Sequence, residues 1–452
     1  MVVGINSKTI NTSGISIKDV QDALIDNGID IDKDITDINY TGWVDHRPSG
    51  ELSNSLFVHQ VPEFLSFHGV NPDLWGHSLL FLGPTAIGKT EGVRQGYELA
   101  AKKMGRELHL TELHVSQMGP VDALGVPREH NGRTYWAPPE IWPLVKALPE
   151  HQRMTQMFLQ HYKETGKIEY DLLPKDWYVH FHDEVTNPSS PQVPHQLFPA
   201  WCGDGSGKMI GGHQLVADFT VALAGNRIED GTNSINLANS AVTRLCMIEV
   251  VPHYAGWLKN YAFTGRMFAG ETVTKIHPVI ISYLNKVNSE FAPQDMSERS
   301  PMNPFPTPRN WRYISDELYA NDANPMPDFM LKGAVAGRIG DASAQQFFTF
   351  LAHYQDLPNI DKLMRGEPIH NFPKKDRPDL LMITGTHMVM KLNKTNANVF
   401  MDYMLDDTKF PVELAATTMK QLRAADKLIP LVREWSSEKF SQWVKKNKVF
   451  VF

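Results

Sequence analysis

Apolar positions along the chain fall into two regimes. From about residue 56, short apolar runs alternate with helical spacing: Leu79–Leu82, Leu108–Leu113, Trp177–His182, Phe219–Ala224 and Leu245–Val250 read as strands, with helical stretches between most of them. Their alternation with helices predicts a mostly parallel sheet covered by helices. From about residue 255 the strand signal fades. Apolar residues then recur at helical intervals, as in Phe347, Leu351 and Tyr354, in Ala415, Met419 and Leu422, and in Phe440, Trp443 and Val444. That pattern predicts an all-helical domain over 255–452 behind an α/β domain over 56–254. Residues 1–55 are polar with scattered Ile and Val and read as an extension. In it Ser16 caps a short helix, with Ile17, Val20 and Leu24 on one face, that Gly28 stops.

One strand-to-helix junction carries chemistry. Residues 83–90 read GPTAIGKT, the pattern G-x-x-x-x-G-K-[ST], with Leu79–Leu82 before it and a helical stretch, Glu91–Lys103, after it. Gly83, Pro84, Thr85, Ala86, Ile87 and Gly88 would turn tightly, so that successive N–H groups point at phosphate oxygens. The helix N-terminus adds a favourable partial positive charge. In such a loop Lys89 reaches the β- and γ-phosphates and Thr90 ligates Mg²⁺.

Residues 177–184 read WYVHFHDE, a strand ending in an acidic pair. Beside a phosphate loop, Asp183 would hold Mg²⁺, directly or through water, and Glu184 would polarise the attacking water. The plainer reading is an exposed acidic turn. His180 and His182 are unusual on a central strand. With no Cys or HExxH spacing near them, they read as satisfied or interface histidines rather than metal ligands. Between loop and strand, residues 124–140 (LGVPREHNGRTYWAPPE) read as an inserted hairpin turning at Asn131-Gly132, either decoration or a substrate contact, and 141–166 as a helix.

Three further polar residues stand at element ends. Phe219–Ala224 runs into Gly225-Asn226-Arg227, and Asn226 is placed to sit between a γ-phosphate and the attacking water. Arg244 lies where LANSAVTRLCM (237–247) passes from helix to strand. In a ring it would enter the neighbour's nucleotide site as an arginine finger; alone it is a surface arginine. In FPTPRNWRYIS (305–315), Pro306 and Pro308 fix φ ahead of a helix, and Arg309 would bridge the helical domain to the γ-phosphate or simply solvate the helix start.

Composition narrows the field. A chain of 452 residues suits two or three domains, and 42% hydrophobic residues exclude global disorder. The net charge of −7, with no basic tail, gives no whole-chain footprint for nucleic acid but leaves room for a local basic channel. Two cysteines, Cys202 and Cys246, exclude a disulfide framework and a four-cysteine zinc site. The apolar stretches fall far short of the roughly 20 residues that span a bilayer, and the N-terminus lacks a signal-peptide pattern. A soluble, cytoplasmic protein is expected.

Taken in order, GPTAIGKT, VDALGVPREHNGRTYWAPPEIWP, HDEVTNPSSPQV, ALAGNRIEDG, NSAVTRL and FPTPRNW resemble the AAA+ ATPases, and within them the MoxR branch, from about Val58 to the C-terminus. The resemblance implies a P-loop AAA+ core, a parallel sheet with flanking helices, followed by an all-helical lid and C-terminal domain. It implies Lys89 and Thr90 as Walker A, Asp183 and Glu184 as Walker B, Asn226 as sensor 1, Arg244 as the arginine finger and Arg309 as sensor 2, with ATP and Mg²⁺ as cofactors. MoxR-like proteins typically form hexameric rings. They often work with a partner carrying a von Willebrand factor A domain, and they remodel or mature other proteins. Related ATPases are frequent in bacteriophage genomes, which would place this one in a host cytoplasm.

Three departures stand against the pattern. Ala86 and Ile87 replace the usual internal glycine and its neighbour, His180 and His182 replace aliphatic residues, and Val-Thr precedes Arg244 where relatives carry Asp or Asn. Three other readings compete. A P-loop transferase resembling tRNA prenyltransferases lacks the D-S-x-Q-x-Y signature after its loop. An AAA+ protein acting on nucleic acid, of helicase-loader or translocase type, would use a pore loop such as GDGSGKMIGGHQ (203–214) with Lys208, a stretch whose plainer reading is a glycine-rich hairpin turn. A non-hydrolysing scaffold is opposed by Glu184.

Overall fold

The computed structural model describes residues 54–203, 207–230, 234–265, 274–292, 303–352, 357–369, 371–425 and 427–447. The expected helix from Ser16 to Gly28, and Tyr354, lie outside them.

The first part alternates strand and helix. In chain order come β1 (Ser55–Phe57), α1 (Val61–Val70), β2 (Leu79–Leu82), α2 (Lys89–Met104) and β3 (Glu107–His114). A hairpin of β4 (Val126–His130) and β5 (Arg133–Ala137) follows, then α3 (Pro149–Thr165), β6 (Asp176–Asp183) and α4 (Gln192–Trp201). A short hairpin of β7 (Met209–Ile210) and β8 (His213–Gln214) precedes β9 (Thr220–Gly225) and β10 (Cys246–Val251). Six strands form one sheet in the order β1-β10-β2-β9-β6-β3, every neighbouring pair parallel. The central strands β2 and β9 are almost wholly apolar, as strands covered on both faces must be. Leu79, Phe81, Trp177, Val179 and Phe181 face one core with α1 and α2, while Leu80, Val221 and Leu223 face a second with Trp142, Leu197 and Trp201. On α2, a Cβ on Gly96 would stand 2.8 Å from the Leu65 Cβ, so glycine is what lets α1 lie close on α2.

Beyond β10 the described chain is helical. The longer helices are α5 (Pro278–Lys286), α6 (Pro308–Ala323), α7 (Asp328–Ile339), α8 (Asp341–Leu351), α9 (Pro378–Lys391), α10 (Ala397–Leu405), α11 (Val412–Ala424) and α12 (Ser437–Lys446). They share one core that buries Tyr283, Trp311, Phe347, Phe400 and Trp443. Phe440, Trp443 and Val444 of α12 are all buried, as their spacing predicts. The fold is thus an α/β core, a six-stranded parallel sheet with flanking helices, followed by an all-helical region. No described helix is long and apolar enough to cross a membrane.

Two expectations are corrected. The helix predicted over 141–166 begins only at Pro149, because the preceding backbone bonds elsewhere: Val145 N–H donates to Gln214 O at 3.0 Å, and Val216 N–H to Pro143 O at 3.0 Å. Residues 209–214 form the hairpin of the plainer reading, and Lys208, which the nucleic-acid reading would turn toward a pore, is buried. Its Nζ donates to Ser78 Oγ at 3.2 Å and lies 5.7 Å from the Phe219 ring centroid.

Candidate nucleotide site

The site lies at the carboxyl ends of β2, β6 and β9, where open parallel sheets bind ligands. β2 ends in Leu82, and the loop 83–88 leads into α2. A Cβ on Gly83 would meet the Val250 carbonyl oxygen at 2.3 Å, so only glycine lets the loop leave so close to β10. Ile87 anchors the loop in the core. Gly88 caps α2 at φ 106°, and Ala86 adopts φ 61°, a left-handed conformation for a residue with a Cβ. The first N–H groups of α2 have no intrahelical acceptor and carry the helix's positive end.

Lys89 is the centre of the constellation. Its Nζ donates to Gly83 O at 2.7 Å, Pro84 O at 2.8 Å and Asn226 Oδ1 at 3.0 Å. Burial pulls its pKa down to about 8, the carboxylates of Asp183 and Asp230 hold it up, and Arg309 and Arg227 add to the fall. The Thr90 hydroxyl donates to Asp183 Oδ2 at 2.7 Å, which brings two hard oxygen ligands together. Glu184 follows at φ 59°, and its N–H donates to Asp183 Oδ1 at 2.8 Å. The Ser116 hydroxyl donates to Glu184 Oε2. Asn226 is tied to the end of β6: its N–H donates to Thr186 Oγ1 at 2.9 Å, and that hydroxyl donates to Asn226 O at 3.0 Å.

Lys89, Thr90, Asp183, Glu184 and Asn226 therefore converge. The two predicted arginines stand apart from that cluster. Arg309 is exposed at the second position of α6, whose N-cap Thr307 accepts from Asn310 N–H at 3.1 Å; its charge still reaches Lys89. Arg244 is exposed, with its guanidinium carbon 5.6 Å from the Phe198 ring centroid and a 3.4 Å bond from Nη1 to Ser240 O. Neither contact involves Lys89, Thr90, Asp183, Glu184 or Asn226.

Three participants were missed. Ser116 lies just past β3, and only the pairing of His114 with Asp183 across β3 and β6 shows that it reaches Glu184. Thr186 holds Asn226. Arg227 pairs with Asp230 at 2.7 Å and with Glu249, clamping the segment after β9 to β10. A cavity of about 610 Å³ is lined by residues that include Leu82, Thr186, Asn226, Arg227 and Glu249, so it borders the converging cluster at Asn226 without including Lys89, Thr90, Asp183 or Glu184.

The histidines of β6 have their own arrangement. Trp201 Nε1–H donates to His182 Nδ1 at 2.8 Å, His182 Nε2 lies 3.4 Å from His180 Nδ1, and His180 Nε2 lies 3.0 Å from Ile141 O. Burial holds the pKa of His180 near 4 and that of His182 well below its ordinary value.

No protein-family profile matches the chain, and no curated protein matches it in sequence. Among solved structures, it is similar to a replication initiator DnaA bound to AMPPCP and single-stranded DNA, at 11% identity and a TM-score of 0.24, over 86% of this chain and 92% of that one. A likeness this distant carries no argument about function.

Proposed function

We propose that the protein is an AAA+ ATPase that hydrolyses Mg-ATP at a site completed by a neighbouring subunit. The observation that supports this reading is the convergence of Lys89, Thr90, Asp183, Glu184 and Asn226 at one edge of the sheet. The loop and the α2 N-terminus would hold the β- and γ-phosphates, with Lys89 exchanging its carbonyl partners for phosphate oxygens. The donor set fits a magnesium ion, since Thr90 and Asp183 offer converging oxygens and no sulfur or nitrogen. Bound there, Mg²⁺ would neutralise charge on the phosphates. Glu184 would orient a water and take up its proton as the new O–P bond forms. The bond from the γ-phosphorus to the β,γ-bridging oxygen breaks, leaving ADP and phosphate. Asn226 would hold that water against the γ-phosphate, Arg309 would report phosphate loss to the helical region (255–452), and Arg244 would serve the next subunit in a ring, taken as a hexamer.

The MoxR resemblance would make the load of this cycle a protein, matured alongside a partner with a von Willebrand factor A domain. A second reading, a nucleic-acid load, is favoured by the surface described in the next section. Both share the same test of the engine. The mass in solution of the Glu184→Gln chain, measured with and without ATP and Mg²⁺, is expected to rise to near six subunits. Arg244→Ala is expected to keep ATP binding while assembled turnover falls about 10³-fold, the scale of a lost arginine finger. Full turnover by an assembled Arg244→Ala chain would remove the shared site from this account.

A further inference from the structure

The α/β core between residues 54 and 254 contains seven arginines. Arg94, Arg106, Arg153 and Arg227 are each paired with a carboxylate. Arg244 lies over Phe198. Arg128 and Arg133 have no carboxylate partner among the described residues, and both stand on the β4–β5 hairpin. A guanidinium on an exposed ribbon with no internal partner is available to another molecule.

The register of the hairpin sorts its side chains. Directly opposed residues of an antiparallel pair share a face, and successive pairs alternate. Val126 with Ala137, Arg128 with Tyr135 and His130 with Arg133 lie on one face; Pro127 with Trp136 and Glu129 with Thr134 lie on the other. The second face approaches the β7–β8 turn, since a Cβ on Gly211 would stand 3.4 Å from the Trp136 Cβ. The hairpin's single carboxylate, Glu129, is on that second face. The first face presents two arginines, a histidine and Tyr135, whose side chain is 43% exposed. Asn131 and Gly132, at φ 53° and 70°, form the type I′ turn that fixes this register.

We propose that this face binds single-stranded nucleic acid. Arg128 and Arg133 would pair with backbone phosphates, and the Tyr135 ring, opposite Arg128, would stack on a base. Basic side chains that follow the backbone beside an aromatic platform are the chemistry of sequence-tolerant single-strand binding, and a base inside a duplex offers no free face to such a ring. The segregation of Glu129 from the arginines favours a polyanion. Binding here does not depend on hydrolysis, so this proposal and the ATPase reading can fail separately.

The test is fluorescence anisotropy of the full chain with labelled single-stranded DNA and RNA of about 30 nucleotides, and with a duplex of the same length, over a series of salt concentrations. Single strands are expected to bind more tightly than duplex. Arg128→Ala with Arg133→Ala should weaken binding to every sequence and flatten the slope of log affinity against log salt by about 1.4, from roughly 0.7 per lost phosphate contact. Tyr135→Ala should weaken binding about tenfold at unchanged slope, and Tyr135→Phe should restore it. Each variant should bind Mg-ATP like the parent, which shows that the core is folded. No oligonucleotide binding at low salt, or unchanged binding by the variants, overturns the proposal. Displacement by polyglutamate together with a silent Tyr135→Ala would also overturn it, in favour of an acidic protein.

Discussion

Strand β6 and the residue that follows it carry two polar pairs, His180 with His182 and Asp183 with Glu184, and they behave oppositely. His180 and His182 are buried, and their hydrogen bonds run in one direction. The Trp201 indole can only donate, so His182 keeps its proton on Nε2, which faces His180 Nδ1; the His180 proton then sits on Nε2 and faces the Ile141 carbonyl. Both rings are neutral and no ring nitrogen is left for a ligand. Asp183 and Glu184 are half-buried and held by hydroxyls from other elements, Thr90 and Ser116, which can turn toward a new partner. Glu184 is also held at a positive φ. Polar residues on a central strand are therefore no mark of a site by themselves. Replaceable partners and local strain at the strand's end are the better mark.

The largest expected break in that comparison is Glu184→Gln. It removes the proposed base while preserving shape, so on the proposed reading turnover should fall about 10²- to 10⁴-fold with ATP binding retained. Single-turnover hydrolysis beside a nucleotide-binding titration measures both. A small loss of turnover would move the base elsewhere.

The histidine pair should instead respond through stability. The ordinary imidazole pKa is 6.5, and burial brings His180 down to about 4 in the folded chain. As pH falls, the unfolded chain takes up the proton first. Stability is therefore complete above about pH 6.5 and declines toward pH 4, by about 3 kcal/mol for His180 alone. His68 and His387 are also held down by burial and add to the wild-type slope. The informative quantity is the difference from a chain in which His180 and His182 are aliphatic. Urea midpoints at pH 7.5, 6 and 5 should fall less steeply in that variant, and parallel slopes would mean that the pair is not neutral in the fold.

Legibility in the sequence follows how local each constraint is. The tight turn over 83–88 was readable because Gly83 and Gly88 each answer to a local backbone requirement, a close approach to Val250 O and a φ of 106°. The hairpin was readable from Asn131-Gly132, and the α6 start from Pro308. Five of the sheet's six strands were readable from their apolar runs; the three-residue edge strand β1 (Ser55–Phe57) was not, being too short to show a pattern. Ser116 was not, because its link to Glu184 exists only through the pairing of β3 with β6. Of the two readings of 203–214, the hairpin turn held and the pore-facing Lys208 did not, because the folded chain buries its amine against Ser78 and Phe219. The start of α3 was misplaced because residues 143–145 bond to the segment 214–216, a non-local competition that helical spacing does not reveal.

The smallest effect tests the other strained residue of the site. Ala86 and Glu184 share the left-handed region with Asn131, and these three are the non-glycine residues at positive φ among those described. Asparagine adopts that region readily in a turn. At Glu184 the strain accompanies a carboxylate, the proposed base. Ala86 contributes only a methyl, at the position where the loops that this one resembles carry glycine. Ala86→Gly should relieve about 1 kcal/mol of backbone strain, offset by the greater freedom of glycine in the unfolded chain. A rise of about 1–2 °C in the apparent melting temperature without nucleotide is the expected net result. If the strain instead pre-forms the loop for phosphate, the same variant should bind Mg-ATP more weakly than the parent despite melting higher. A variant that melts lower would show that Ala86 is unstrained and that the loop conformation is set by Gly88 and Ile87.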